Sequence, residues 1–304
     1  MDRVRTCRRV ALVVAFLSFC LPALGADQTF VSVDGRDTWA CTRAKPCRTI
    51  AQALTLTSPG GTIMVLDSGR FAETYIDIRQ AVSIVAAPGV IAELTSADSC
   101  IYVNAGLDDV VVLRGLTFTG QPSTPNNGII YNRAAALHVE NCVVSGFPTK
   151  GILSLSHQKL FVSDSVFRGN FIGISLDSHT DAAIDRVRLE NNGWGLVAGL
   201  GARATVRDSV ASGNTEEGFL ASGMLADSPE MNLEGCMASD NGAGIAAEGF
   251  MGGSAVARVS RCVVTNNTVG VAQHVGGVVE SRGNNTVRGN GTDVSGVVTA
   301  IPGI

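Results

Sequence analysis

The sequence predicts an all-β protein whose short strands wind into a parallel β-helix, preceded by a short N-terminal capping helix. A repeat with a period in the low-to-mid twenties runs from Cys100 to Asn290, and its clearest copies are 162–178, 184–200 and 259–275. The composition agrees, because 35 residues are Gly and only 16% are charged. Such a chain suits many tight turns between apolar strands better than a helical bundle.

The first 25 residues have the pattern of a signal peptide. Four Arg residues lie within residues 3–9, an apolar run follows at 10–24, and Ala23-Leu24-Gly25 offers small residues for cleavage before Ala26. The run is short for a membrane anchor, and Pro22 interrupts it. We therefore expect a secreted protein, either periplasmic, extracellular or on the cell surface. No later segment is apolar enough to predict a membrane span.

Residues 26–304 are expected to form one domain, with an N-terminal cap at 26–60, coils at 61–294 and a C-terminal tail at 295–304. Loss of the leader removes four Arg and one Asp, so the net charge changes from −4 to −7. A mildly acidic chain with dispersed Lys and Arg is a poor candidate for binding nucleic acid.

Six cysteines remain after the leader. Cys41 and Cys47 bracket five residues, and in an oxidising compartment a local disulfide is favoured over free thiols; a metal site is disfavoured because two further ligands are not nearby. Cys236 and Cys262 would lie on adjacent coils, either as small buried residues or, as a second choice, as a disulfide. Cys100 has no assignable partner.

The N-terminal part predicts one helix among short strands. Ile50, Ala53 and Leu54 have helical spacing, and Pro59-Gly60-Gly61 is expected to end that helix. The open end of stacked repeats must be shielded from water, so we assign the helix a capping role. The alternating or apolar runs at 30–33, 63–66, 75–78, 82–85 and 110–113 predict strands.

Each repeat contains an Asn, usually a Gly three residues later, and then alternating apolar residues such as Ile174 and Leu176. A leucine-rich repeat has a similar period. It is disfavoured because the anchors are Val, Ser, Cys and Ala more often than Leu, and no helix-forming half follows the Asn. Two or three strands per coil remain, which predicts about ten coils and a length of roughly 50 Å.

The repeated Asn residues are interpreted as structural rather than catalytic. Asn tolerates the left-handed backbone that a sharp bend requires, and its amide can bond to the neighbouring coil. The Gly that follows would let the backbone re-enter a strand without a side-chain clash. This Asn column comprises Asn170, Asn192, Asn214, Asn241, Asn267 and Asn290.

The repeat from Cys100 to Asn290 resembles the right-handed parallel β-helix repeats of the pectate-lyase-like superfamily. The stretch FVSVDGRD…PCRTIAQAL resembles the strand and capping helix with which secreted bacterial members begin. The resemblance implies a right-handed solenoid over nearly the whole chain after the leader. It implies little about function, because the superfamily includes polysaccharide lyases and hydrolases, tailspikes and adhesins.

Lyases of that superfamily hold Ca²⁺ with carboxylates beside an Arg or Lys base, and its hydrolases use clustered Asp residues. This sequence has no matching motif, so no residue role is carried over. No cofactor and no metal site are predicted, and Ca²⁺ would be expected only if the protein were a lyase.

One polar cluster stands out on the predicted turns of neighbouring coils. Such a group could bind a ligand or metal, or serve as acid and base, although a solvated turn is the simpler interpretation. Its members are Arg133, His157, Lys159, Asp177, His179 and Asp181.

A strip of outward positions is apolar, which usually means that something covers it. Because aromatic residues are few, a protein contact is favoured over a glycan contact. The preferred function is therefore surface binding or interaction, with a polysaccharide or a protein surface as partner. The alternative is a polysaccharide lyase or glycoside hydrolase acting on an acidic polysaccharide. The strip comprises Tyr102, Ile130, Leu153, Val197 and Leu220.

Overall fold

The computed structural model describes residues 26–121 and 126–302, so the expected signal peptide lies outside the described residues. Those residues form a right-handed parallel β-solenoid of ten complete coils, with one short helix near the N-terminus. Each coil contributes one strand to each of three parallel sheets, which we number in the order the chain visits them. The predicted fold class and number of coils are confirmed.

Sheet 1 begins before the first complete coil and ends after the last one, so it has twelve strands. These are β1 (Ala26–Val31), β2 (Thr57–Val65), β5 (Val82–Ala86), β8 (Val110–Arg114), β11 (Ala136–Glu140), β14 (Lys159–Ser163), β17 (Asp181–Asp185), β20 (Arg203–Arg207), β23 (Glu230–Glu234), β26 (Ala255–Ser260), β29 (Gly277–Ser281) and β32 (Val298–Ala300).

Sheets 2 and 3 have ten strands each. Sheet 2 comprises β3 (Gly69–Ala72), β6 (Ala92–Thr95), β9 (Leu116–Thr119), β12 (Val143–Ser145), β15 (Val166–Arg168), β18 (Arg188–Glu190), β21 (Val210–Ser212), β24 (Met237–Ser239), β27 (Val263–Thr265) and β30 (Thr286–Val287). Sheet 3 comprises β4 (Ile76–Ile78), β7 (Ile101–Asn104), β10 (Ile129–Arg133), β13 (Lys150–Ser154), β16 (Ile172–Leu176), β19 (Trp194–Gly199), β22 (Glu217–Met224), β25 (Ala243–Phe250), β28 (Val269–Gln273) and β31 (Thr292–Ser295).

The core is a stack of inward-facing apolar columns. In sheet 2, Phe118, Val144, Phe167 and Leu189 occupy the same position on four successive coils, and all are fully buried. The predicted alternation after the repeat Gly is also present, since side chains such as Ile174 and Leu176 are buried. Each coil therefore buries its apolar side chains against the coils above and below it, as a solenoid requires.

The Asn column forms a hydrogen-bonded ladder at the turn between sheets 2 and 3. The backbone N–H and side-chain Nδ2 of Asn192 both donate to Oδ1 of Asn214, at 3.0 and 3.1 Å. Nδ2 of Asn192 also donates to the carbonyl of Phe167 on the preceding coil, at 3.1 Å. The same pattern repeats from Asn170 to Asn267, so every amide in this stretch joins neighbouring coils.

The ladder has a different group at each end. Phe147 occupies the ladder position on the coil before Asn170. Its backbone N–H donates to Oδ1 of Asn170 at 3.0 Å. At the other end, Oδ1 of Asp293 accepts from the backbone and side chain of Asn290. These hydrogen bonds lower the pKa of the Asp293 carboxyl, so it is a charged acceptor in the place of a further Asn.

The ladder Asn residues do not themselves take the left-handed conformation, so that expectation is wrong. The residue just before each of them does: φ is 63° at Gly169, 52° at Asn191, 68° at Gly213, 59° at Asp240 and 57° at Asn266. The bend is thus made one residue earlier, which leaves the ladder Asn free to point its amide into the interior.

The repeat Gly residues are required by the distance between coils rather than by their own dihedral angles. A Cβ built on Gly195 would lie 2.3 Å from the carbonyl oxygen of Gly218 on the next coil. For the other repeat Gly residues from Gly128 to Gly244, the built Cβ would lie 2.5 to 2.8 Å from the carbonyl oxygen of the Gly on the next coil. Any side chain at these positions would push two coils apart.

The N-terminal end is covered by helix α1 (Ile50–Leu56), which buries Ile50 and Ala53 against the first coil. Oγ1 of Thr49 caps the helix by accepting from the backbone N–H of Gln52 at 3.1 Å. The Glu73 carboxylate accepts from the next free amides, those of Ile50 and Ala51, at 2.7 and 3.0 Å. Burial nevertheless raises the pKa of Glu73 above its ordinary value.

Pro59-Gly60-Gly61 does not end the helix, contrary to the prediction. The helix ends at Leu56, and all three residues lie inside β2. Strand β1 pairs with β2 across a register shift, since Ala26 faces Thr57 whereas Gln28 faces Thr62. The bulge absorbs the Pro and the two Gly residues, which a regular ladder would not accommodate.

Cys41 and Cys47 form a disulfide, with Cα atoms 4.6 Å apart. The bridged loop is tied to β1 by two backbone hydrogen bonds, from Phe30 N–H to the Cys41 carbonyl and from Cys47 N–H to the Phe30 carbonyl. The disulfide therefore holds a short segment against the edge of sheet 1, where no complete coil lies beyond it.

Replacement of Asn214 by Ala should lower the free energy of unfolding by about 3 kcal/mol, because two buried donors of Asn192 and the carbonyl of Leu189 lose their partner. Denaturant unfolding followed by circular dichroism measures this change. The matched control is Asn232→Ala on the outer face of sheet 1, expected within about 0.5 kcal/mol of the wild type. Equal losses in the two variants would contradict a structural role for the ladder.

Candidate functional site

The outward face of sheet 1 contains two shallow depressions that share Thr205 and Asn232. The larger has a volume of about 460 Å³ and extends over the beginnings of β14, β17, β20 and β23. The smaller, of about 170 Å³, continues towards the C-terminal end, where Arg258 and Arg282 contribute to its lining. Together they form one groove along the solenoid axis, which we call the sheet 1 groove.

The charges of one outward column alternate along this groove. Lys159, Asp181, Arg203 and Glu230 are register partners on four successive coils. The next outward column has smaller uncharged groups at its centre, with Ala183 and Thr205 as neighbours. The groove therefore has small side chains at its base. Beside them runs a row of charged groups, with one strand spacing between neighbours.

Neither cation of this column has an ion-pair partner among the described residues. Glu230 and Glu280 both bond to Arg258, each at 2.7 Å. Among the described residues, by contrast, Lys159 and Arg203 have no carboxylate oxygen within 4.0 Å. An anion entering the groove would find two cations that no carboxylate contacts directly, with Asp181 as the register partner of both.

An aromatic pair lies at the end of the groove nearer the N-terminus. The rings of His138 and Phe161 stack with their centroids 4.6 Å apart and an angle of 16° between planes. Burial lowers the pKa of His138 below its ordinary value of 6.5, and the opposing effect of Glu140 is smaller. The imidazole is accordingly neutral at neutral pH and offers a flat, weakly polar surface.

The rim between sheet 3 and sheet 1 contains the two predicted turn histidines. The rings of His157 and His179 stack with centroids 5.4 Å apart, at an angle of 13°. Nε2 of His179 lies 3.6 Å from Oδ1 of Asp227. A Cβ at Gly201 would lie 2.7 Å from the His179 ring, so this Gly makes room for the imidazole.

The six residues of the predicted polar cluster occupy several different places. Lys159 and Asp181 line the sheet 1 groove, whereas His157 and His179 lie in the turns just before β14 and β17. Asp177 instead pairs with Lys150 of sheet 3 at 3.3 Å. Arg133 lies two coils before His179. Its Nε donates to the backbone carbonyl of Ala105 at 3.0 Å.

Sequence reasoning missed Phe161, Arg203, Glu230 and Asp227. Lys159, Asp181 and Arg203 each follow the repeat Gly by eight residues, so extending the column by one coil would have found Arg203. The offset of eight residues does not find Glu230, because the turn before that residue is longer. Asp227 lies in that same longer turn, which no periodicity describes.

The predicted apolar strip lies on the outward face of sheet 3, where its members occupy corresponding register positions. Tyr102, Ile130, Leu153 and Val197 are half-buried. Leu220 is buried in a small outer cluster with Ala246 and Ala272, against which Trp194 packs. This face is distinct from the groove of sheet 1.

Four cysteines are buried free thiols in the structure: Cys100, Cys142, Cys236 and Cys262. Burial raises the pKa of Cys142 to about 12, so it behaves as a small core residue rather than a nucleophile. Within residues 26–121 and 126–302, no three His, Cys, Asp or Glu side chains converge as a metal site would require. None of the helices in the same ranges is long and apolar enough to span a membrane.

The profile of the right-handed β-helix region matches residues 127–291, which is more than half of the chain. The chain belongs to the right-handed β-helix family. The predicted resemblance is confirmed, and the matched residues include the whole Asn ladder. No curated protein sequence matches the chain.

Solved structures similar to this β-helix include an alginate lyase from Paenibacillus sp., with a TM-score of 0.67, 15% identity, and coverage of 90% of this chain and 100% of the other. XylC in complex with xylose has a TM-score of 0.61, 9% identity and coverage of 85% and 69%. The pectate lyase Pel9A has a TM-score of 0.54, 13% identity and coverage of 92% and 78%. At these identities the likeness establishes the fold alone.

In the folded protein His138 should titrate below 6.5, because its burial disfavours the charged form. The unfolded chain then binds more protons between the two pKa values, so this residue destabilises the fold as the pH falls through 6.5. NMR titration of the imidazole resonances measures the pKa, and His138→Gln assigns the signal. Phe161→Ala should move the pKa back towards 6.5, and a wild-type pKa above 6.5 would contradict the prediction.

Proposed function

We propose that this protein is a secreted carbohydrate-binding β-helix that takes an acidic polysaccharide chain along the sheet 1 groove. The observation that carries the proposal is the pair of unpaired cations, Lys159 and Arg203. They are two coils apart, or about 10 Å at the spacing of parallel strands. Each sugar residue of an extended chain advances the chain by a distance close to one strand spacing. Carboxylates two sugar residues apart could therefore meet both cations.

The rest of the groove suits a sugar chain. Phe161, stacked on His138, offers an apolar ring against which the C–H face of a pyranose can pack. Thr205 and Asn232 supply hydroxyl and amide groups for hydrogen bonds to sugar hydroxyls. Asp181 and Glu230 would repel carboxylates placed opposite them, which favours one register of the chain over others.

Two further observations agree with this proposal. A pectate lyase and an alginate lyase, enzymes named for polyuronates, have the same fold. The Cys41–Cys47 disulfide fits an oxidising compartment and therefore a secreted protein. Neither observation identifies the ligand. The choice of an acidic polysaccharide rests on the charges of the groove.

The double variant Lys159→Ala/Arg203→Ala should bind polygalacturonate or alginate at least about tenfold more weakly than the wild type, because two charge-assisted contacts are lost. Affinity gel electrophoresis with each polysaccharide measures the change, and added salt should weaken wild-type binding.

The control is Arg43→Ala/Arg168→Ala, which removes two exposed cations away from the groove and alters the net charge equally. It should bind as the wild type does. The groove assignment would be refuted if the gel retarded both double variants to the same extent. It would also be refuted if the wild type bound a neutral galactan as tightly as it binds the acidic polysaccharides.

Cleavage of the bound chain by β-elimination is a second candidate, favoured by the contact between His179 and Asp227 at the rim. His179 would take the proton from C5 of a uronate, the electron pair of the C5–H bond would form the C4–C5 double bond as the C4–O bond breaks, and the leaving oxygen would take a proton from water. Asp227 would orient the imidazole.

Wild-type protein should then produce ultraviolet-absorbing unsaturated ends from polygalacturonate or alginate, assayed with and without Ca²⁺. His179→Ala should lower the rate at least a hundredfold, as loss of a general base does, and should leave binding unchanged. His157→Ala is the matched control on the neighbouring coil. Activity that survives in His179→Ala would exclude this residue as the base, whereas absence of product with intact binding leaves a binding protein.

A further inference from the structure

A second depression lies at the N-terminal end of the molecule, between helix α1 and strand β4. It has a volume of about 300 Å³. Leu54 and Thr55 of α1 form one wall, and Tyr75, Asp77 and Arg79 line the side next to sheet 3. It is separate from the sheet 1 groove, with which it shares no lining residue.

The walls of this depression are fixed by hydrogen bonds. Nε2 of Gln80 donates to the carbonyls of Leu54 and Thr57, at 3.5 and 2.9 Å, and so fastens the end of α1 to the first coil. The Glu73 carboxylate holds the other end of the helix through the amides of Ile50 and Ala51. A ligand would therefore meet a formed site and would not have to order it.

Asp77, which lines this depression, has one carboxylate oxygen without a hydrogen-bond partner among the described residues. Its Oδ2 accepts from Nε of Arg79 at 2.7 Å, whereas Oδ1 is buried and has no partner among the described residues. An unpaired buried carboxylate oxygen is costly, so a bound hydroxyl group would relieve that cost. The Arg79 side chain is 76% exposed, so its guanidinium is open to a ligand.

A flat apolar surface adjoins these polar groups. The rings of Tyr75 and Tyr102, on neighbouring coils, have centroids 5.9 Å apart and are tilted by 30°. Tyr75 is 37% exposed, so part of its ring is open to a ligand. Burial and the nearby Asp77 raise the pKa of Tyr75, which keeps the phenol protonated as a hydrogen-bond donor.

We infer that this depression binds a neutral pyranose, either a single sugar or one residue of a glycan. Asp77 and Arg79 neutralise each other while offering an acceptor and donors to adjacent hydroxyl groups, and Tyr75 can pack against the C–H face of the ring. A uronate is disfavoured because its carboxylate would approach the unpaired oxygen of Asp77. The depression thus selects a ligand of different charge from that of the sheet 1 groove.

Saturation-transfer difference NMR on the whole protein tests this inference, with methyl β-D-glucopyranoside, methyl β-D-galactopyranoside and methyl α-D-mannopyranoside as probes and sodium glucuronate as the charged comparison. At least one neutral glycoside should give signals from its ring protons. Tyr75→Ala should abolish them, and Asp77→Asn should weaken binding about tenfold or more, since a charged acceptor is lost.

Lys159→Ala/Arg203→Ala should leave these signals unchanged, which separates this site from the sheet 1 groove and from the fate of the proposed function. Circular dichroism establishes that each variant is folded. If Tyr75→Ala fails to fold, the isosteric Asp77→Asn variant decides the question. The inference is overturned if no neutral glycoside binds, if glucuronate binds better, if Asp77→Asn binds as the wild type does, or if the groove variant loses the signals.

Discussion

Contact between one coil and the next at the spacing of parallel strands is the constraint on which the rest of this structure depends. It requires that polar groups trapped between coils be paired and that no side chain intrude where backbones meet. The Asn ladder meets the first requirement, since Asn214 accepts two hydrogen bonds from Asn192 and donates onward to Asn241. The Gly column meets the second, because Gly195 faces the carbonyl of Gly218 where a Cβ would lie.

The same spacing determines what the surface can do. Any side chain placed at a constant offset in the repeat reappears about 4.8 Å further along the axis. On sheet 1 this produces a row of alternating charges, in which the Lys159 and Arg203 side chains lack a carboxylate partner within the described part of the chain. A polymer with a comparable repeat is the natural complement of such a row. One outward column of sheet 3 instead has apolar residues such as Ile130, Leu153 and Val197.

Departures from the repeat are where the remaining chemistry lies. The longer turn before β23 brings Asp227 to His179, and the N-terminal helix encloses the depression that contains Asp77. In both places a segment outside the regular coil provides one wall and the coil provides the other. The repeat thus supplies a rigid scaffold, while its irregular segments supply specific combinations of side chains.

The sequence by itself determined the solenoid, its number of coils, the capping helix and the core columns, because a hydrophobic period repeated over many coils permits few other folds. The Cys41–Cys47 pairing followed from six-residue spacing. Only the tertiary structure decided which backbone position takes the bend, since Asn191 and Asn192 are equally suited to it in sequence. It also decided that Asp177 pairs with Lys150 rather than with a histidine. Such contacts depend on side chains that meet across coils and around corners, where turn length shifts the register that a periodic pattern assumes.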